Sequence, residues 1–312
     1  MDVRFLRIFF VVAILAVLSA CASAPAQKSG GSPAAAAPKQ PPPPAQNLLG
    51  TTDELQLITE LALDLGGKYG GSNVLVVLDI DNTLLAMEQD LGSDQWYYWQ
   101  KDMGAMHPCS DLVVADRNAA MGAMFFASAM RPTQPNAAEQ VRRMQDAGVR
   151  VIALTSRGVE YRLPTFRELR RNGFSFWPNA WPPQRGFGDP LMPEGFKRPV
   201  VYEDGVAFVS GQDKGAALKA LLDRSGAPYP TLIVAVDDKQ ENLNTLMRAF
   251  SWSTTKIQAW RYTREDDLAK AFSPSAADAE WKELRPALMK IQEVLGPDNY
   301  DLPASDRMPG CG

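Results

Sequence analysis

Asp79 and Asp81 stand one residue apart at the end of an unbroken aliphatic run, residues 74–78. Two acids this close repel each other unless a cation or a shared proton relieves them, so the pair asks for a metal. Three further polar groups each close or open a regular element: Thr155 after an apolar run, Lys214 at the head of a leucine-bearing helix, and Asp237-Asp238 after another apolar run. The chain has one histidine, His107, and three cysteines, too few for a histidine-based metal site or a cysteine-rich zinc module. Any metal must therefore be held by oxygen, which points to a hard cation such as Mg²⁺. His107 has no partner visible in the sequence and is read as non-catalytic.

The elements that must carry these groups follow from hydrophobic patterning. A short continuous apolar run suits a strand buried on both faces, as in parallel sheets, where ligands bind beyond the carboxyl ends of the strands. Period-2 geometry sends Asp79 and Asp81 the same way and turns Ile80 to the core. A helix over 136–147, with Asn136 as N-cap, Glu139 as capping-box partner and Gly148 as stop, feeds a second strand over 149–154. That strand ends at Thr155-Ser156-Arg157, and a helix over 164–172 closes at Gly173. Runs 200–202 and 206–209 flank Asp204-Gly205, a hairpin signature. Gly211 to Gly215 opens the helix of Leu218, Leu221 and Leu222. The strand over 231–236 is backed by a helix with Leu243, Leu246, Met247 and Phe250. A helix over 51–65 stopped by Gly66-Gly67, a strand over 257–262 and a closing helix over 278–295, kinked or interrupted at Pro286, complete the pattern. The rhythm is that of an α/β doubly wound sheet.

Between the acidic strand and the next helix, residues 84–135 form an insertion with an aromatic cluster, Trp96-Tyr97-Tyr98-Trp99, and an apolar helical stretch, 121–130. The aromatics either stack on a sugar or base or pack the insertion's own core; packing is the expectation. Residues 174–199, crowded with Pro, Gly, Phe and Trp, are read as an active-site flap or a long surface loop.

At 312 residues, 46% hydrophobic and 22% charged, the chain has an ordinary globular composition. A net charge of −4 gives no electrostatic reason to expect nucleic-acid binding. Residues 1–21 read as a targeting segment: Arg4 and Arg7, then an apolar core over 8–18 too short to span a bilayer. Residues 22–50, rich in Ala and Pro, read as a disordered tether. The folded domain is expected over 51–300, with a tail over 301–312. In an oxidising compartment Cys109 and Cys311 could pair and pin that tail to the insertion.

Taken in order, Asp79/Asp81, Thr155, Lys214 and Asp237/Asp238 resemble the four motifs of the haloacid dehalogenase (HAD) superfamily, over residues 74–250. The resemblance implies a HAD-like Rossmannoid fold with a cap insertion over about 84–135. It implies Mg²⁺ held by Asp79, by Asp237 or Asp238, and by the backbone carbonyl of Asp81, with Asp237 the preferred direct ligand. Asp79 would attack phosphorus, Asp81 would serve as acid and then base, and Thr155 and Lys214 would bind the phosphoryl oxygens. Ser156 would replace Thr155 if the strand ended one residue later, and Asn242 and Arg157 are read as structural supports. Leu18-Ser19-Ala20-Cys21 resembles the lipobox of bacterial lipoproteins, making Cys21 the lipidated residue, and Ala22 after it favours the periplasmic face of the outer membrane. With the 96–99 region, this resembles a group of secreted bacterial HAD-like proteins and, more distantly, the lipoprotein acid phosphatases.

The expected activity is Mg²⁺-dependent hydrolysis of a small phosphorylated substrate, with the membrane reached only through the lipid anchor and no nucleic-acid partner. Carbon–halogen cleavage fits poorly, because a departing halide leaves Asp81 without a task. Phosphotransfer to another alcohol is a near neighbour. The competing class is a non-catalytic envelope lipoprotein that keeps the fold as a binding or structural module.

Overall fold

Val74–Leu78 is strand β2, and all five of its residues are buried, because the strand sits at the centre of a sheet covered on both sides. The structure, a computed structural model, describes residues 47–297 and 300–311. The expected signal segment with Cys21 and the tether up to residue 46 lie outside the described residues. No helix among the described residues is long and apolar enough to cross a membrane.

Seven strands form the main sheet, in the order β1 (Leu48–Thr52), β9 (Lys256–Tyr262), β8 (Leu232–Asp237), β2, β5 (Arg150–Thr155), β7 (Val206–Phe208) and β6 (Val201–Glu203). All neighbours are parallel except β6 and β7, whose hairpin turns on Asp204 and Gly205, both at positive φ (47° and 79°). Helices cover both faces. Val74, Val76 and Leu78 pack with α1 (Leu55–Tyr69), α4 (Ala137–Asp146), α5 (Arg162–Arg171) and α9 (Pro274–Leu295), while Leu75 and Val77 pack with α6 (Lys214–Ser225) and α7 (Gln240–Ala249). The chain leaves β2 toward β5 and β7 and returns on its other side at β8 and β9. The strand order therefore reverses at β2, where open α/β sheets leave a crevice for ligands.

Residues between β2 and α4 leave the sheet through an antiparallel pair, β3 (Leu85–Met87) and β4 (Met130–Pro132), that carries α2 (Asp94–Met106) and α3 (Arg117–Ala127). α2 is N-capped by Ser93 and α3 by Asp116. Trp96, Met121, Met124 and Phe125 join the same apolar cluster as β2. The short helix α8 (Asp266–Lys270) precedes α9.

The buried carboxylate of Glu168 on α5 anchors the return of this insertion. It accepts hydrogen bonds from Met130 N (2.7 Å), Arg167 Nε (2.8 Å) and Arg171 Nε (2.9 Å). Arg167 also donates to the carbonyls of Phe125, Phe126 and Ser128, closing α3 onto α5. Burial raises the Glu168 carboxyl, but the Met130 amide and the two arginines outweigh it and hold the group below the usual glutamate range. A lowered folded-state value contributes stability that is fully present above the unfolded value, about 4.3, and is lost as pH falls through the folded value. Glu168→Gln is expected to cost about 2 kcal/mol in urea unfolding at neutral pH, a deficit that shrinks in acid; an equal deficit at every pH contradicts the assignment.

Four sequence expectations need correction. α1 runs through Gly66-Gly67 to Tyr69 and stops at Gly70 (φ 86°), because burial of Leu65 and Tyr69 outweighs the low helix propensity of two glycines. Residues 48–50 belong to strand β1, so the folded region starts before Thr51. α9 starts at Pro274, capped by Ser273, and continues past Pro286, which lies on its exposed side. Asn136 is the N-cap residue of α4, yet its side chain makes no capping bond. Cys109 and Cys311 are joined as a disulfide, with a Cα–Cα distance of 5.2 Å. Tyr300 and Leu302 are buried, so the carboxyl-terminal segment packs on the domain.

Candidate active site

Lys214 is the first residue of α6, at the carboxyl end of the sheet and only 1% exposed. The cap that starts this helix is Asp213, whose side chain accepts from Ala216 N at 2.8 Å. Gly215 lets α6 lie against α7: a Cβ there would meet the Thr245 carbonyl oxygen at 2.2 Å. The Lys214 ammonium reaches Asp79 Oδ1 at 2.6 Å and Asp237 Oδ2 at 2.7 Å. Asp79 follows β2 and Asp237 ends β8, two neighbouring strands, which is why their carboxylates converge. The other Asp237 oxygen accepts from Lys239 N and Asn242 Nδ2, both at 2.9 Å. Asn242 thus supports Asp237, as read from the sequence.

Asp79, Asp237 and Asp238 each offer an oxygen within 4.8 Å of the others. Burial and the neighbouring Asp237 push the Asp79 carboxyl up to about 7, against the pull of Lys214. Burial, together with Asp94 and Asp79, pushes Asp238 well above the ordinary range, against Lys239. Three clustered carboxylates, two buried and the third half-buried, are a donor set that fits a hard divalent cation. Asn82, left-handed at φ 57°, turns the chain directly after Asp81 and donates to Asp238 Oδ2 at 3.5 Å.

Asp81 lies beside this group, its side chain 24% exposed, and takes a two-pronged bond from Arg157: Nε to Oδ2 at 2.9 Å and Nη2 to Oδ1 at 2.7 Å. Burial raises Asp81, but the guanidinium outweighs it and holds the carboxyl below the usual aspartate range. Asp81 is therefore held as a carboxylate, and acting first as an acid requires that pair to loosen. Arg157 is itself fixed by Thr165 Oγ1 (2.9 Å) and by the Phe125 ring, 4.1 Å from its centroid. Thr155 ends β5 as expected; it is wholly buried, and its hydroxyl accepts from Arg157 N at 3.1 Å. Ser156 lines open space at this tip, as do Arg157 and Gly158.

That open space is a cavity of about 350 Å³ between α2, α3 and the loops after β2, β5 and β7. Asp81, Ser156 and Arg157 form its floor, and Asp94, Tyr97, Tyr98 and Arg117 stand among its walls. Asp94 binds Lys239 Nζ at 2.6 Å, and the same ammonium lies 3.6 Å from the Tyr98 ring centroid. α2 is thereby tied to the loop that carries Asp237-Asp238. The aromatic cluster divides: Trp96 is 1% exposed and packs in the core, Trp99 meets Phe272, and Tyr97 and Tyr98 face the cavity.

Sequence reasoning missed Asp94 and Lys239; Arg157, read as a structural support, holds Asp81. Asp94, Tyr97, Tyr98 and Lys101 follow i, i+3, i+4, i+7 spacing, one face of a helix, and that stripe was available in the sequence. His107 caps the C-terminus of α2, away from Asp79 and Asp237 in the described hydrogen bonds. The sequence profile of a family described as protein of unknown function, DUF2608, matches residues 55–294. No curated protein matches the chain.

Proposed function

The chain belongs to this family of unknown function, and we propose that it is a HAD-type, Mg²⁺-dependent phosphomonoesterase that works through an aspartyl-phosphate on Asp79. One observation carries the reading. A fully buried lysine bridges two carboxylates at the switch point of a parallel sheet, with a third carboxylate alongside. Structural lysines are rarely buried so completely, and perturbed charges gathered at one point mark candidate functional sites.

Asp79, Asp237 and Asp238, with the Asp81 backbone carbonyl, would hold Mg²⁺. When bound, the ion would offset the charge between an anionic ester and an anionic nucleophile. Lys214 orients Asp79 through the 2.6 Å contact and adds positive charge where phosphoryl oxygens arrive. Thr155 and Ser156 at the β5 tip bond those oxygens. An Asp79 oxygen forms the new bond to phosphorus as the ester bond breaks, and the departing alkoxide takes a proton from Asp81. Asp81 then removes a proton from the water that attacks phosphorus and frees Asp79. Arg157 sets which way Asp81 faces. Residues 85–132 act as a cap over the site, with the β3–β4 pair as its stem. The protein acts at the periplasmic face of the outer membrane, held there by lipid on Cys21.

The test is release of phosphate from an aryl phosphate with and without Mg²⁺. Absence of release across a broad ester panel, together with absence of Mg²⁺ binding, favours the non-catalytic module instead. Asp81→Asn is expected to slow turnover by about 10²–10⁴ while calorimetry still records Mg²⁺ binding. An equal loss of Mg²⁺ affinity counts against its proton-transfer role. Because that variant strands the buried Arg157 guanidinium, its unfolding is recorded alongside.

A further inference from the structure

The cavity above Asp81 holds more positive charge than its acids neutralise. Asp81 is paired with Arg157 and Asp94 with Lys239. Three other cations line the space, Lys101, Arg117 and Arg198, and none forms an ion pair among the described residues. Only Glu160 opposes them there, and it too is unpaired. In a chain of net charge −4, a local excess of unpaired cations marks the seat of an anion. It is a different seat from the phosphoryl position, which belongs to Asp79 and Lys214.

Arg117 is the most telling of the three. It starts α3, its guanidinium lies 4.5 Å from the Tyr97 ring centroid, and its Nε is buried with no hydrogen-bond partner. A buried donor without an acceptor is uncommon in a folded protein. A guanidinium presents its N–H groups in one plane, the arrangement that suits a carboxylate or phosphate. Tyr161 also lines the cavity, its hydroxyl donating to the Asn118 carbonyl at 2.9 Å and its ring 5.1 Å from that of Phe125. Aromatic walls of this kind favour a flat apolar body. The volume, about 350 Å³, sits near the lower end of small-molecule pockets, about 300–1,000 Å³, which suits a compact ligand.

We infer that the substrate is a compact phosphomonoester whose alcohol portion carries a planar ring and a second anionic group. The ring lies among Tyr97, Tyr98 and Tyr161, and Arg117 and Arg198 take the second anion. This rests on the phosphomonoesterase reading above for the position of the reacting phosphoryl group.

The experiment compares 4-carboxyphenyl phosphate with phenyl phosphate, for wild type, Arg117→Ala and Arg198→Ala. Differences in leaving-group reactivity cancel when each ester is compared between wild type and variant. Arg117→Ala is expected to lower kcat/KM for the carboxylated ester about tenfold or more, and for phenyl phosphate by no more than about threefold. Arg198 is exposed and its side chain makes no described hydrogen bond or ion pair, so Arg198→Ala provides a second variant, with a smaller loss in the same sense. Equal losses on both esters, or no loss on either, overturn the inference while leaving the phosphatase reading in place. If wild type hydrolyses neither ester, calorimetry with 4-(phosphonomethyl)benzoate decides the inference alone. Binding weakened about tenfold by Arg117→Ala supports it; absence of binding to wild type overturns it.

Discussion

Asp79→Asn is expected to abolish phosphate release while leaving the fold intact. The substitution keeps the shape of the side chain and removes the nucleophile, so turnover should fall by about 10⁴ or more. Stability should hold or rise. Asp79 is buried beside Asp237 and Asp238, and burial together with the neighbouring Asp237 pushes its carboxyl up to about 7. A neutral amide relieves that repulsion, and Lys214 retains Asp237 at 2.7 Å as its counter-charge. Chemical denaturation run beside the assay separates the outcomes: lost activity with an unchanged midpoint fits a nucleophile, whereas retained activity removes Asp79 from the chemistry.

Lys214→Met should harm both activity and stability. The lysine is the positive charge that contacts both Asp79 and Asp237, and it is 1% exposed. Removing one partner of a buried ionic group strands the others, at a cost of about 3–5 kcal/mol. Loss of a charge aimed at developing phosphoryl charge should lower kcat by about 10²–10³. The same acids that destabilise the apo variant should make it more responsive to cations. Millimolar Mg²⁺ should raise its thermal midpoint by more than it raises that of wild type. An equal Mg²⁺ response in the two proteins contradicts a site shared by lysine and metal.

The parts of this picture that could be read from the sequence are those fixed by strong local signals. The run ending at Leu78, the Asp204-Gly205 turn and the leucines of α6 each admit few other conformations. They place Asp79, Thr155, Lys214 and Asp237 at one sheet edge, and Asp79, Lys214 and Asp237 are in direct contact. Strand β1 was illegible because Leu48 and Leu49 are both 46% exposed: backbone pairing with β9 defines it, and burial leaves no pattern. The reach of α1 past Gly66-Gly67 depends on tertiary burial of Tyr69, which propensity cannot register. The Arg157–Asp81 and Lys239–Asp94 pairs join residues 76 and 145 positions apart in the chain, so only the fold reveals them. A charge next to a motif reads as a solvated surface residue until its partner is known.

The cap proposed over the site has a mechanical counterpart in the contacts already described. α2 is bound to the Asp237-Asp238 loop through Asp94 and Lys239, and α3 is bound to α5 through Arg167. The insertion is thus fixed on both sides of the cavity, which suits a site that sorts small substrates by shape and charge.

The most direct measurement is acid quench of the protein during turnover of an aryl phosphate, followed by mass analysis of its peptides. The account predicts a phosphoryl group on the peptide containing Asp79, present only when Mg²⁺ is supplied and absent from Asp79→Asn. Steady phosphate release with no phosphorylated peptide, or a phosphoryl group on a residue outside the Asp79–Lys214–Asp237 cluster, would contradict it.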